Sequence, residues 1–70
     1  MEKYWEEVKH KALDGMRRVV GQEVEDDCAD MKRAYEYAKK HLSLRAQTDA
    51  ADYFFDYKWA THEIAAHEAK

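Results

Sequence analysis

The 70-residue chain contains no proline, two glycines and one cysteine. A domain built on β-sheets needs more turn residues than this, and the absence of proline leaves long helices unbroken. The single cysteine, Cys28, has no partner for an internal disulfide, so a reducing compartment, the cytoplasm, is expected. No apolar run approaches the roughly 20 residues that span a bilayer, and the polar N-terminus does not resemble a signal peptide. We therefore expect no membrane association.

The composition favours a soluble helical chain. Charged residues make up 39% of the sequence and hydrophobic residues 46%, with a net charge of −3. Acidic and basic segments alternate along the chain, so no basic stripe forms. Because nucleic-acid binding depends on such a stripe, direct contact with DNA or RNA is not expected.

The first segment has one apolar stripe, which predicts a helix over residues 2–20. Apolar residues recur every three or four positions, as they do on one face of a helix. They are Met1, Trp5, Val8, Ala12, Met16 and Val19, flanked by Tyr4, Leu13 and Val20. Gly21 follows and predicts the helix C-terminus, because glycine readily adopts the left-handed conformation that ends helices.

Two further segments predict helices over about 22–42 and 46–69. The second stripe consists of Val24, Cys28, Met31, Tyr35, Ala38 and Leu42, and the third of Ala46, Ala50, Tyr53, Tyr57, Ala60, Ile64 and His67. The two stripes stay in phase, so one continuous helix of about 45 residues is an alternative. We favour a break around residues 43–49, where Ser43 and Thr48 are interpreted as helix caps.

These patterns predict a single all-α domain over residues 1–70. The expected architecture is a small helical bundle of two to three antiparallel helices, dimerising as a helical hairpin. Association is expected because so short a chain buries little apolar surface for each residue that it orders.

The last helix has a second apolar face. Opposite the Tyr53, Tyr57 and Ile64 stripe lie Phe55, Trp59 and Ala66, flanked by Thr48, Ala51 and His62. Five aromatic residues within positions 53–59 cannot all face one core. One interpretation packs Phe55 and Trp59 beneath the first helix and leaves the tyrosine hydroxyls in water. We favour a protein-binding surface of Tyr53, Phe55, Tyr57, Trp59 and His62, because aromatic residues are enriched in interface cores.

Five acidic residues cluster between positions 23 and 30. They are Glu23, Glu25, Asp26, Asp27 and Asp30. A solvated helix N-terminus explains such a cluster, since acids there complement the helix dipole. The functional interpretation is an acidic docking patch for a basic partner surface.

Catalytic and metal sites are not expected. His62 and His67 are five residues apart, whereas two histidines that share a metal on one helix are four apart. Cys28 falls within an apolar stripe, which predicts a buried, unreactive thiol. We therefore assign no catalytic residue, no metal ligand and no cofactor.

The leading functional hypothesis is a non-catalytic protein-interaction module. It would be a small intracellular regulator or inhibitor, of the kind that phages and mobile elements encode, that masks a surface of a larger protein. One alternative is an acidic mimic of nucleic acid that blocks a DNA- or RNA-binding cleft. Another is a magnesium-dependent nucleotide hydrolase whose acids, Glu23, Asp26, Asp27 and Asp30, assemble across a homodimer.

Overall fold

The structure, a computed structural model, describes the backbone of residues 2–68 and the side chains of residues 3–68. Three helices follow one another: α1 (Glu2–Val20), α2 (Cys28–His41) and α3 (Leu44–Glu68). The prediction of an all-α protein is confirmed, with no strand among the described residues. Met1 of the first stripe, and residue 69 at the expected end of the last helix, lie outside this range.

The first helix ends where the sequence predicts. Gly21 has a φ of 66°, and its N–H donates to the carbonyl oxygen of Arg17 at 2.8 Å. Residues 21–27, hereafter the linker, then turn the chain toward α2. The Nε of Arg17 donates to the carbonyl oxygen of Val24 at 3.0 Å, and the Val24 side chain is buried. The linker is therefore tied to α1 by both a hydrogen bond and apolar packing.

The second helix begins six residues later than expected, at Cys28 rather than residue 22. Asp27 is its N-cap, with Oδ1 accepting from the backbone N–H of Asp30 at 2.7 Å. Aspartate side chains compete for backbone donors and favour such caps over helix interiors. Cys28 stands in the first turn and is exposed, so the prediction of a buried thiol is wrong. Val24, predicted to lie in the same helix, is buried in the core but belongs to the linker.

The last two helices are separate. Leu42 is extended, with φ of −109° and ψ of 166°, and Ser43 follows it before α3 begins. The Oγ of Ser43 accepts from the N–H of Ala46 at 3.3 Å, as a cap does. The alternative of one continuous helix is wrong. Thr48 is not a cap, because it lies within α3 and its hydroxyl donates to the carbonyl oxygen of Leu44 at 3.1 Å.

One apolar core joins the three helices and the linker. Its buried members are Ala12, Leu13, Met16, Val20, Val24, Met31, Ala34, Ala38, Ala50 and Tyr57. The contact between α1 and α3 is the most extensive of the three helix pairs. Gly15 permits it, since a Cβ at this position would lie less than 3.0 Å from ring carbons of Tyr53. The side of α3 that carries Tyr53 and Tyr57 therefore faces α1.

The molecule is elongated along its helices, with extents of 41 × 18 × 17 Å.

Tyr4, expected to widen the first apolar stripe, is exposed and packs edge-on against Trp5, with ring centroids 4.9 Å apart. None of the helices within residues 2–68 is long and apolar enough to span a bilayer.

Candidate protein-interaction surface

One side of α3 is apolar and uncovered. It carries Leu44, Thr48, Ala51, Phe55, Trp59, His62 and Ala66, hereafter the outer face. These positions lie within about 40° of the Phe55 direction at 100° per residue. Leu44, Phe55 and Trp59 are 78%, 58% and 62% exposed. Tyr57, on the opposite side of the same helix, is 1% exposed. The helix thus has two apolar sides, of which this chain covers one.

An aromatic cluster supports Phe55. Tyr35 of α2 stacks on Phe54, with ring centroids 5.1 Å apart and planes 21° apart. The Phe55 ring lies 6.4 Å from that of Tyr35 and 5.7 Å from that of Phe54. Phe55 therefore lies beside two other aromatic rings, although 58% of it is exposed.

Two lysines border the cluster. The Nζ of Lys39 lies 5.0 Å from the centroid of the Tyr35 ring, and the Nζ of Lys58 lies 5.5 Å from that of Phe54. Both are cation–π distances. The border of the apolar surface is therefore basic on the side nearest α2.

A groove runs between α2 and the N-terminal half of α3. It is a shallow, open depression with a volume of about 360 Å³, and we call it the α2–α3 groove. Tyr35 and Lys39 line it from α2, and α3 contributes Leu44, Gln47, Thr48, Ala51, Asp52 and Phe55. Thr48 and Ala51 are small, so they leave a depression between the bulky side chains of Leu44 and Phe55.

The five residues predicted to bind a partner do not all share this surface. Phe55, Trp59 and His62 are exposed on the outer face. Tyr53 is half-buried against Gly15, and Tyr57 belongs to the core. Including Tyr57 in the binding surface is therefore wrong, because α1 covers that side of α3. The interpretation that packs Phe55 and Trp59 beneath α1 is also wrong, because α1 covers the opposite side of α3 and both rings are exposed.

Sequence reasoning missed three residues of this surface, namely Leu44, Tyr35 and Lys39. The predicted third helix begins at residue 46, so Leu44 falls in the predicted connection between helices. Its spacing of 11 residues from Phe55, about three helical turns, is the signal that places both on one face. Tyr35 and Lys39 were not identifiable, because they reach the groove from another helix.

The predicted acidic patch is divided between the linker and α2. Asp27 caps α2, as described above. Asp30 accepts from the backbone N–H of Glu25 at 2.9 Å and forms an ion pair with Arg33. Glu23 and Glu25 have exposed side chains in the linker. Asp27 and Asp30 therefore stabilise the linker and the start of α2, and the docking role of this patch stays a prediction.

The remaining acid, Asp26, joins the linker to the core. Its Oδ1 accepts from the buried Tyr57 hydroxyl at 2.5 Å, and its Oδ2 lies 3.4 Å from the Nζ of Lys9. The Tyr57 hydrogen bond, aided by Lys9, lowers the pKa of the Asp26 carboxyl despite partial desolvation. Burial, reinforced by the Asp26 carboxylate, raises the pKa of Tyr57 well above its usual value. The hydrogen bond thus holds the linker against α3, with Asp26 ionised and the Tyr57 hydroxyl neutral at pH 7.

Within the described residues, no three histidine, cysteine, aspartate or glutamate side chains are grouped so that they could hold a metal ion. The Sγ of Cys28 lies 4.0 Å from the Oγ1 of Thr61, and Asp26 and Asp27 make the hydrogen bonds described above. The outer face of α3 is the candidate functional surface of the described residues.

Comparisons with known proteins do not assign a family. No protein-family model, curated protein or solved structure matches the chain. The functional argument consequently depends on the residues and their geometry.

Proposed function

We propose that this chain is a non-catalytic protein-interaction module, a small regulator or inhibitor that masks a surface of a larger protein. The outer face of α3 is the proposed binding surface. The observation that carries the proposal is the exposure of Leu44, Phe55 and Trp59 on one side of a helix whose other side is already buried.

The residue types on this face support protein binding over simple exposure. Isolated apolar side chains are common on protein surfaces, but large contiguous apolar patches mark interaction sites. Tryptophan dominates the energy of many interfaces when a partner buries it centrally. Trp59 is one turn from Phe55, so both rings enter one partner surface together.

The electrostatic border of the face suggests the charge of the partner. Lys39 and Lys58 lie beside the aromatic cluster on the side nearest α2. Acidic groups on a partner would approach this border favourably, and the charge would affect the association rate more than the affinity. We therefore propose an apolar partner surface with acidic residues on one side.

The proposal also covers the antiparallel arrangement of α2 and α3 and a location in the cytoplasm. The two-residue connection at Leu42 and Ser43 favours an antiparallel α2 and α3, because short connections join antiparallel neighbours. The helical hairpin so formed would present the outer face of α3 to its partner. A single exposed thiol suits the reducing cytoplasm.

Site-specific photo-crosslinking tests the proposed function. A benzophenone amino acid replaces Phe55 in one variant and the exposed Arg18 of α1 in a matched control. In cells that express the chain, we expect position 55 to capture one larger protein that position 18 does not capture. Trp59→Ala, combined with the probe at position 55, should abolish the adduct while leaving the far-ultraviolet circular dichroism unchanged. Equal capture from both positions, or none from position 55, would refute the proposal.

A further inference from the structure

We propose that the outer face of α3 binds an amphipathic helix of the partner, and that this helix has a basic edge that lies along the carboxylates of α3. The inference rests on the proposed function, because it takes the outer face to be a protein-binding surface. It adds the secondary structure of the bound segment and the charge of its second edge.

A row of carboxylates borders the outer face on the side away from α2. Its members lie about 60–120° from the Phe55 direction, whereas Phe54, which stacks on Tyr35 of α2, lies about 100° in the other sense. They are Asp49, Asp52, Asp56 and Glu63, hereafter the carboxylate flank. Arg45 and His67 lie at the same angles, and Asp52 also reaches the α2–α3 groove. The charge along this border is therefore predominantly negative.

The carboxylate flank is not neutralised within residues 3–68. None of its four members forms an ion pair there, whereas Asp14 and Asp30 each have an arginine partner. Asp52 lies three residues after Asp49 and four before Asp56, spacings at which like charges on a helix repel one another. Asp52 and Asp56 are exposed. Cationic groups on a partner would relieve this repulsion, so the flank favours a basic edge on the bound segment.

The two borders of the outer face have opposite charges. Lys39 and Lys58 lie on the side nearest α2, and the carboxylate flank lies on the other. A bound segment with charges of one sign only would be repelled at one of these borders. The segment that fits both has a basic edge, an apolar stripe and an acidic edge, and the opposed borders exclude segments with the wrong order of charges.

The length of the outer face favours a helix as the bound segment. From Leu44 to Ala66 the face extends over 22 residues, about 33 Å along the axis. Strands in globular proteins are usually only about 17–20 Å long, whereas a helix keeps an apolar stripe in line over the whole distance. Asp49, Asp52 and Asp56 recur once per helical turn, as flanking charges do along paired helices. An amphipathic helix therefore matches the face in length and in the repeat of its charges.

Two synthetic peptides of about 22 residues, each labelled with a fluorophore, test the inference. Both have one leucine stripe and equal numbers of lysine and glutamate residues. In the segregated peptide, lysine occupies one edge of the stripe and glutamate the other; in the mixed peptide, each edge carries both. Fluorescence anisotropy, with the purified chain from about 1 μM to 1 mM, should show at least fivefold tighter binding of the segregated peptide. Equal binding of the two peptides would overturn the inference.

Paired substitutions locate the bound edge. Asp52→Asn with Asp56→Asn should weaken binding of the segregated peptide at least fivefold and leave the helicity unchanged. Glu23→Gln with Glu25→Gln is the matched control, because it removes the same charge from exposed positions in the linker and should change binding less than twofold. Equal losses in the two variants would overturn the inference, since the peptide would then respond to net charge alone.

A second copy of the chain is the competing occupant. Sedimentation equilibrium of the chain alone should give 8.3 kDa over the same concentrations. A dimer that Trp59→Ala dissociates would show that another copy covers the outer face, and would overturn the inference.

The two proposals fail separately. If the two peptides bind equally but a probe at position 55 captures a larger protein in cells, the inferred helix is wrong and the proposed function holds. If the segregated peptide binds selectively but that probe captures no larger protein, the masking function is wrong and the inferred specificity for a helix with a basic edge stands.

Discussion

Tyr57→Phe removes the hydroxyl that connects the core to the linker and leaves the rest of the side chain in place. The hydroxyl donates to Oδ1 of Asp26, and the ring is 1% exposed. Hydrogen bonds to charged groups contribute about 1.5–3 kcal/mol. The Asp26 side chain is 41% exposed, so water replaces part of the lost bond. We expect the free energy of unfolding at pH 7 to fall by about 1 kcal/mol.

The loss should depend on pH in a dome-shaped manner. Tyr57 lowers the pKa of Asp26, so the stability from this bond is present above the unfolded pKa, about 3.9, and disappears as the pH falls through the folded value. Burial raises the pKa of Tyr57, so the wild-type chain loses stability as the pH rises above about 10. Phenylalanine does not titrate. The difference between wild type and Tyr57→Phe should therefore shrink at both ends of the pH range.

Urea denaturation followed by circular dichroism measures this effect. With a slope of about 1 kcal/mol/M, the midpoint at pH 7 should move down by about 1 M. Tyr53→Phe is the matched control, because within the described residues the Tyr53 hydroxyl makes no hydrogen bond. In a double-mutant cycle with Asp26→Ala, the coupling energy between Tyr57 and Asp26 should account for most of the stability lost in Tyr57→Phe. A Tyr57→Phe difference that is constant across pH, or no larger than that of Tyr53→Phe, would refute the reasoning.

Two other predictions concern the helix contacts. Gly15→Ala should lower the free energy of unfolding by about 1 kcal/mol, because the cost of overpacking against Tyr53 exceeds the gain in helix propensity. In a Tyr53→Ala background the same substitution should be stabilising. Thermal denaturation of the four chains checks this, and a change of the same sign in both backgrounds would contradict it. Asp27→Ala should cost about 1 kcal/mol by removing the N-cap of α2. Glu23→Ala, in the exposed part of the linker, should change the free energy of unfolding by less than about 0.5 kcal/mol, and equal losses in the two variants would contradict the cap.

Sequence reasoning succeeded where the signal is local. Helical periodicity predicts three helices, and Gly21 marks the end of α1 because its φ of 66° suits glycine. Sequence reasoning failed at the start of α2, where Val24 and Cys28 have helical spacing but Asp27 binds a backbone N–H as a cap. Spacing alone does not reveal whether a side chain competes with the helix for its own backbone donors.

The division of α3 into a covered and an uncovered side needed the tertiary structure. A helical wheel places Tyr57 and Phe55 on opposite sides but does not state which side α1 covers. That choice depends on Gly15, which lets α1 approach Tyr53, and on Asp26, which accepts the hydrogen bond of the buried Tyr57 hydroxyl and is itself paired with Lys9. These residues are far from Tyr57 in sequence, so no local pattern contains the information.

By itself, then, the sequence determined an all-α chain whose last helix has more apolar surface than one neighbour can bury. Periodicity and turn residues are local properties, and they suffice for that conclusion. Only the tertiary structure decided that Leu44, Phe55 and Trp59 remain exposed while Tyr57 is buried. The physical reason is that burial results from the packing of distant segments, and a hydroxyl can enter the core only where another part of the chain supplies its hydrogen-bond acceptor.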